Sequence, residues 1–159
     1  MSAAEVASFL AAERTVTCAT VGPRGWPHLM PLWYVLRDPS DGGPGPRVWA
    51  WTYAASQKVR NLERDPRATL QVEAGETYED LRGVMLECEV VIHREPDLVA
   101  ALGGAILLRN SAARGREPPQ ELPGQAREAV AAQAAKRVAL EFAERRRASW
   151  DHRKLGGLY

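Results

Sequence analysis

The rhythm of strand-like runs and breakers between Thr15 and Arg94 constrains this chain more than any other feature. "TVTCATVG" is β-branched and runs into "GPRGWP", whose Gly and Pro residues favour a turn, after which "HLMPLWYVLR" resumes the strand pattern. That is a hairpin signal. Pro31, inside the second arm, has no ladder donor and is best tolerated at a bulge or an edge. "DPSDGGPGP" (Asp38 to Pro46) is a cluster of breakers, and "RVWAWTY" then alternates Val48, Ala50 and Thr52 with Trp49, Trp51 and Tyr53, the period of a strand. "RATLQVEAG" and "LRGVMLECEVVIHR" read as two further strands, the second long enough to curl around a barrel. Many short strands and few helices predict a mainly β (α+β) chain built as an antiparallel barrel with flanking helices.

The helices are fewer and each has its own signature. "MSAAEVASFLAAER" carries Val6, Phe9 and Leu10 at helical spacing and acids at Glu5 and Glu13, so it reads as an amphipathic first helix and not as a signal peptide. "PDLVAALGGAILLRN" is a helix with Pro in its first turn, and Ser111 to Gly124, rich in Pro, Gly and Arg, is a surface loop. From Gln125 onward two signals conflict. Helix propensity is strong throughout, yet "RVALEF" alternates Val138, Leu140 and Phe142 in strand fashion; propensity alone gives one long helix.

Composition sets the outer limits. With 159 residues, 45% of them hydrophobic, the chain builds one domain with a real core, spanning 1–159. Its 21 basic and 20 acidic residues lack the electrostatic footprint of a general nucleic-acid binder, and no segment approaches the roughly 18 uninterrupted apolar residues of a membrane span. The expected setting is the cytoplasm, with neither nucleic acid nor membrane as a partner. Cys18 and Cys88 lie in apolar runs without metal-type spacing to each other or to His28, His93 and His152, so buried free thiols and no metal site are expected. No G-x-S-x-G elbow, P-loop or G-x-G-x-x-G occurs, which argues against a serine hydrolase, a nucleoside triphosphatase and a Rossmann dehydrogenase.

One segment carries chemistry. After "VWAWTYAA" comes "SQKVRNLERD", with Ser56 as a helix N-cap, Val59 and Leu62 on one face and Pro66 as the stop. A strand running into a helix N-terminus brings free backbone N–H groups and the positive dipole end to one spot. Ser56, Gln57 and Lys58 add side-chain donors there, a constellation suited to a phosphate. The plainer reading makes Ser56 a cap and leaves Lys58, Arg60 and Arg64 as a solvated face. Trp33, Trp49, Trp51 and Trp150 suit a planar conjugated ligand, or simply pack the core.

"ATVGPRGWPHLMPLWYV", the run from "VWAWTYAASQKVRNLERDPRATLQV" to "LRGVMLECEVVI", and the ending "SWDHRKLGG" together resemble the flavin and deazaflavin oxidoreductase superfamily of split β-barrels. This superfamily includes pyridoxamine 5'-phosphate oxidase, and the ending looks like an actinobacterial branch that uses coenzyme F420. The resemblance implies an FMN-binding-protein-like split barrel in which "KRVALEF" is a strand. It implies a homodimer with two cofactors at the subunit interface, each a coenzyme F420 or alternatively an FMN. It further implies that Ser56, Gln57 and Lys58 hold the cofactor phosphate with Asn61 supporting the turn. Met30, Pro31, Leu32 and Trp33, with Trp51 and Thr52, then border the ring, while Trp150 and Lys154 close the site from the partner chain. The implied activity is hydride transfer between the cofactor and a small unsaturated or aromatic substrate, with no catalytic side chain assigned; a non-catalytic cofactor carrier is the alternative. Arg24, Arg60 and Arg64 are candidate cations for the oligoglutamate tail of F420. Oxidases of pyridoxamine phosphate carry "S-R-K" and a Gln after the arginine of the strand matching Leu81 to Glu87. Here those positions hold Gln57 and Gly83, which points away from vitamin B6 oxidation.

Overall fold

Alternation along β1 (Thr15–Val21) buries Val16, Cys18 and Thr20 and leaves their neighbours partly open, as a half-buried strand should. The computed structural model, which describes residues 1–111 and 121–156, repeats this pattern around a closed antiparallel barrel. The other strands are β2 (Pro27–Arg37), β3 (Arg47–Tyr53), β4 (Arg67–Ala74), β5 (Arg82–His93) and β6 (Arg137–Asp151). Their order around the barrel is β1-β2-β3-β6-β5-β4, closed by pairing of β4 with β1. The inward faces meet in one core that includes Tyr34, Leu70, Val84, Leu140 and Phe142.

Helix α1 (Ala3–Ala12) starts on a capping box, with Ser2 Oγ accepting from the Glu5 amide and the Glu5 carboxylate accepting from the Ser2 amide. Its predicted apolar face, Val6, Phe9 and Leu10, joins the barrel core, as do Val59 and Leu62 of α2 (Gln57–Arg64). The other end of α1 is held by Arg109, whose Nη2 donates to the carbonyls of Leu10, Ala11 and Glu13 while Nη1 donates to that of Tyr34. Cation and helix C-terminus are matched in sign.

Helices α3 (Pro96–Ser111) and α4 (Gly124–Ala134) form a second apolar cluster on the outside of the barrel, where Val99, Leu102, Ile106 and Ala134 cover Val35, Trp49 and Ala139. The expected Ser111 to Gly124 loop lies largely outside the described residues; Ser111 ends α3 and Gly124 begins α4. The conflict after Gln125 resolves in two parts. Residues to Ala134 follow propensity and residues from Arg137 follow alternation, because Val138, Leu140 and Phe142 are core residues of the barrel. Long-range burial outweighs local preference where both faces of a segment are covered.

β2 explains where an opening forms. It pairs with β1 along Pro27–Trp33 but with β3 only from Tyr34 to Arg37, while Trp51, Thr52 and Tyr53 of β3 pair only with β6. Beyond Tyr34 the two strands part. Pro31, expected at a bulge or an edge, lies in this one-sided half of β2, opposite Thr17 of β1.

Candidate functional site

The gap between β2 and β3 holds a cleft of about 460 Å³. Pro31, Leu32 and Trp33 line it from β2 and Trp51 and Thr52 from β3; the opposite wall is Gly103, Ile106 and Leu107 of α3 with Ala129, Val130 and Gln133 of α4. Five of the residues expected to border a planar ring therefore meet here. Met30, the sixth, stands beside them on β2, 41% exposed and outside the lining. Gly103 sets the shape of the cleft, since a Cβ at this position would stand 2.4 Å from the Trp51 ring. Only a residue without a side chain lets α3 approach that indole.

Thr52 connects the cleft to the mouth of α2. Lys58 is buried, 7% exposed, and its Nζ donates to Thr52 Oγ1 at 3.0 Å. No carboxylate forms an ion pair with it among the described residues. Burial pushes its ammonium below the usual lysine value; the nearby Cys18 opposes this shift and the positive Arg137 adds to it. The solvated-face reading is thus overturned for Lys58, though Arg60 is exposed. Arg64 is engaged instead with the Val21 carbonyl.

Ser56 occupies the N-cap position of α2 with extended backbone, but its hydroxyl makes no capping bond; Oγ is buried and has no partner. The expected cap is therefore one of position only. A buried hydroxyl left unpaired costs free energy unless something absent from the chain itself completes it. Gln57, expected to reach the same ligand, uses Nε2 to donate to Asn61 Oδ1 at 2.8 Å, and Asn61 Nδ2 donates to Thr20 Oγ1 at 3.0 Å. Through these bonds Asn61 ties α2 to β1. The cradle consists of an unpaired hydroxyl, a cation with one neutral partner and the start of a helix. It suits a phosphate.

Trp150 and Lys154 lie outside the cleft lining in this chain. The Trp150 ring covers Gly83 across the β5–β6 pair, where a Cβ would come within 2.2 Å of it, and Lys154 Nζ pairs with the Glu5 carboxylate at 2.7 and 2.8 Å. Gly83 thus has no space for the Gln that pyridoxamine-phosphate oxidases carry there.

Two features were missed in the sequence. Arg137 lines the cleft, its guanidinium 4.4 Å from the Trp51 ring centre and 4.1 Å from that of Tyr53. The alternation that marks β6 as a strand also puts Arg137 on the face opposite Val138, and so beside the outward tryptophans of β3. Glu141, on that same face, is fully buried. It accepts from Ser40 Oγ at 2.6 Å and Ser40 N at 3.1 Å, pairs with Arg47 at 2.6 Å and meets His93 Nε2 at 2.8 Å. Burial alone would raise its carboxyl, but hydrogen bonds from Ser40, His93 and Arg47 outweigh that and hold it below the usual value. This cluster fastens the Asp38–Pro46 loop to the barrel. Cys18 and Cys88 are free and buried, and burial pushes each thiol up to about 12. Among the described residues no group of His, Cys, Asp or Glu could hold a metal ion, and no helix is long and apolar enough to cross a membrane.

A family model described as pyridoxamine 5'-phosphate oxidase matches residues 2–143. Among solved structures, a conserved hypothetical protein from Mycobacterium tuberculosis is 38% identical with a TM-score of 0.82, over 100% of this chain and 90% of that one. An F420 reductase is 20% identical (TM-score 0.62, covering 89% of this chain and 94% of that one). The haem storage protein HutZ from Vibrio cholerae is 13% identical (TM-score 0.64, covering 94% and 93%). These last two share the fold. No curated protein matches the chain.

Proposed function

Because the chain belongs to the pyridoxamine 5'-phosphate oxidase family, we propose that it is an oxidoreductase that binds a phosphate-bearing deazaflavin, coenzyme F420, and acts on a small unsaturated or aromatic substrate. The observation that carries this reading is the buried Lys58 ammonium, held by one neutral hydroxyl, beside the unpaired Ser56 Oγ at the mouth of α2. Bound there, the cofactor supplies hydride chemistry, and the protein supplies binding, orientation and a dry cleft. Ser56 and Lys58 hold the phosphate. Thr52 orients Lys58 toward it, and Trp33 and Trp51 give the ring flat apolar surfaces. The family's vitamin B6 activity is not proposed, since Trp150 fills the space over Gly83.

F420 is preferred to FMN because its tail adds carboxylates, and the exposed Arg24 and Arg60 are the cations proposed to meet them. Titration with each cofactor at rising salt tests this. F420 is expected to bind more tightly and to weaken as salt rises. Tighter FMN binding without salt-sensitive F420 binding overturns the choice, and tight binding without reduction of any added acceptor identifies a carrier.

The site is proposed to be completed by a second copy of the chain. Trp26, Leu29, Met30 and Trp33, at the start of β2 and the turn before it, are 74%, 56%, 41% and 53% exposed, more apolar surface than one strand edge leaves to water without a partner. Sedimentation is expected to give twice the 17.5 kDa chain mass; a monomer that still binds cofactor contradicts it. The free buried thiols suit a reducing cytoplasm.

A further inference from the structure

The helix-side half of the cleft carries a charge that the cofactor phosphate does not use. Arg137 enters it from the start of β6, stacked on Trp51 and Tyr53, and is held from α4 by Gln133 Oε1, which accepts from Nη2 at 3.1 Å and Nε at 3.4 Å. Both partners are neutral. Among the described residues no carboxylate pairs with Arg137, and its Nη1 donates to no protein acceptor. A guanidinium stacked on indole keeps its plane fixed, so its free N–H edge is preorganised for a planar oxyanion. The surrounding wall, with Leu107, Val130 and Trp33, is apolar.

We propose that this half of the cleft is the substrate subsite, that its ligand is a planar conjugated or aromatic carboxylate, and that Arg137 receives the carboxylate while Leu107 and Val130 face the conjugated part. The inference rests on the reading of Ser56 and Lys58 as the phosphate end, because it leaves the α3–α4 side for the second ligand. A neutral aromatic compound would leave Arg137 half-desolvated with no counter-charge, a cost that selects against it. Gln133 is a positioning residue: it touches the guanidinium and not the ligand.

Calorimetric titration with trans-cinnamate and with its neutral isostere cinnamamide, with and without saturating cofactor, tests the proposal. Cinnamate is expected to bind wild-type protein about ten- to a hundredfold more tightly than cinnamamide, and Arg137→Gln to erase that preference. Gln133→Glu keeps the stacked arginine but supplies it with an internal carboxylate, and is expected to lose cinnamate binding to a similar extent. This second variant keeps the test decisive if Arg137→Gln unfolds. Equal binding of the two probes, retention of the preference in both variants, or displacement of cinnamate by cofactor overturns the subsite. If neither F420 nor FMN binds but cinnamate still requires Arg137, the carboxylate subsite stands and the cofactor reading fails.

Discussion

Lys58→Met separates a ligand-binding cation from a structural one. The substitution keeps an unbranched side chain of similar length in a position only 7% exposed, and deletes a charge whose one protein partner is Thr52 Oγ1 at 3.0 Å. In the ligand-free protein the loss of that bond costs about 1 kcal/mol, while removing a buried charge without a counter-ion returns a desolvation penalty of comparable or larger size. Stability without cofactor is therefore expected to equal or exceed that of wild type. Cofactor affinity is expected to fall by about 1.5–3 kcal/mol, ten- to more than a hundredfold, because a charge-assisted phosphate contact is lost.

The pH dependence gives an independent readout. The folded-state pKa of Lys58 lies below the ordinary lysine value of 10.5, so between the two values the unfolded chain binds more protons than the folded one and stability rises with pH. Denaturant unfolding at a series of pH values should show wild type gaining on Lys58→Met up to about 10.5 and the difference levelling off above it. A variant that loses more than about 1 kcal/mol of ligand-free stability while keeping its cofactor affinity would refute the reasoning and make Lys58 a structural support.

Gly103→Ala puts a methyl group 2.4 Å from the Trp51 ring; overpacking of this kind is expected to cost about 1–3 kcal/mol in denaturant unfolding and to shift tryptophan emission, because ring or helix must move. Glu141→Gln strips the charge from a fully buried carboxylate facing Arg47, Ser40 and His93 and is expected to destabilise by about 3–5 kcal/mol near neutral pH. Since the Glu141 carboxyl is held below the ordinary glutamate value of 4.5, its stabilisation is complete above that pH and is lost as pH falls through the folded value; the variant should lose that part of the acid transition.

The barrel was legible because its evidence is local. Val48 and Ala50 against Trp49 and Trp51, the breakers at Asp38 to Pro46 and the hairpin at Gly22 to Pro27 each set their own segment, and all agree with the observed register. β6 was legible only as a conflict, because Ala-rich composition and a two-residue period were both present and the choice between them depended on β3 and β5 lying on either side. The site is less legible for a related reason. Lys58 and Ser56 stand two residues apart in sequence, yet whether they face water is decided by Thr52 and by the packing of α2 on β1 through Asn61 and Thr20. Arg137 and Glu141 depend on still more distant partners, since Ser40 meets Glu141 across a sequence separation of 101 residues and Arg137 meets the rings of β3 only because the barrel closes there. The same closure gives the site its position. β2 and β3 pair for so short a distance that Trp33 and Trp51 are left facing a gap; Arg137 lines that gap and Lys58 reaches its Thr52 wall from α2, and neither has a carboxylate partner among the described residues. A buried Lys58 and a half-buried Arg137, neither paired with a carboxylate among the described residues, are costly for folding alone. That cost is what the anion-binding roles proposed above for Lys58 and Arg137 would offset.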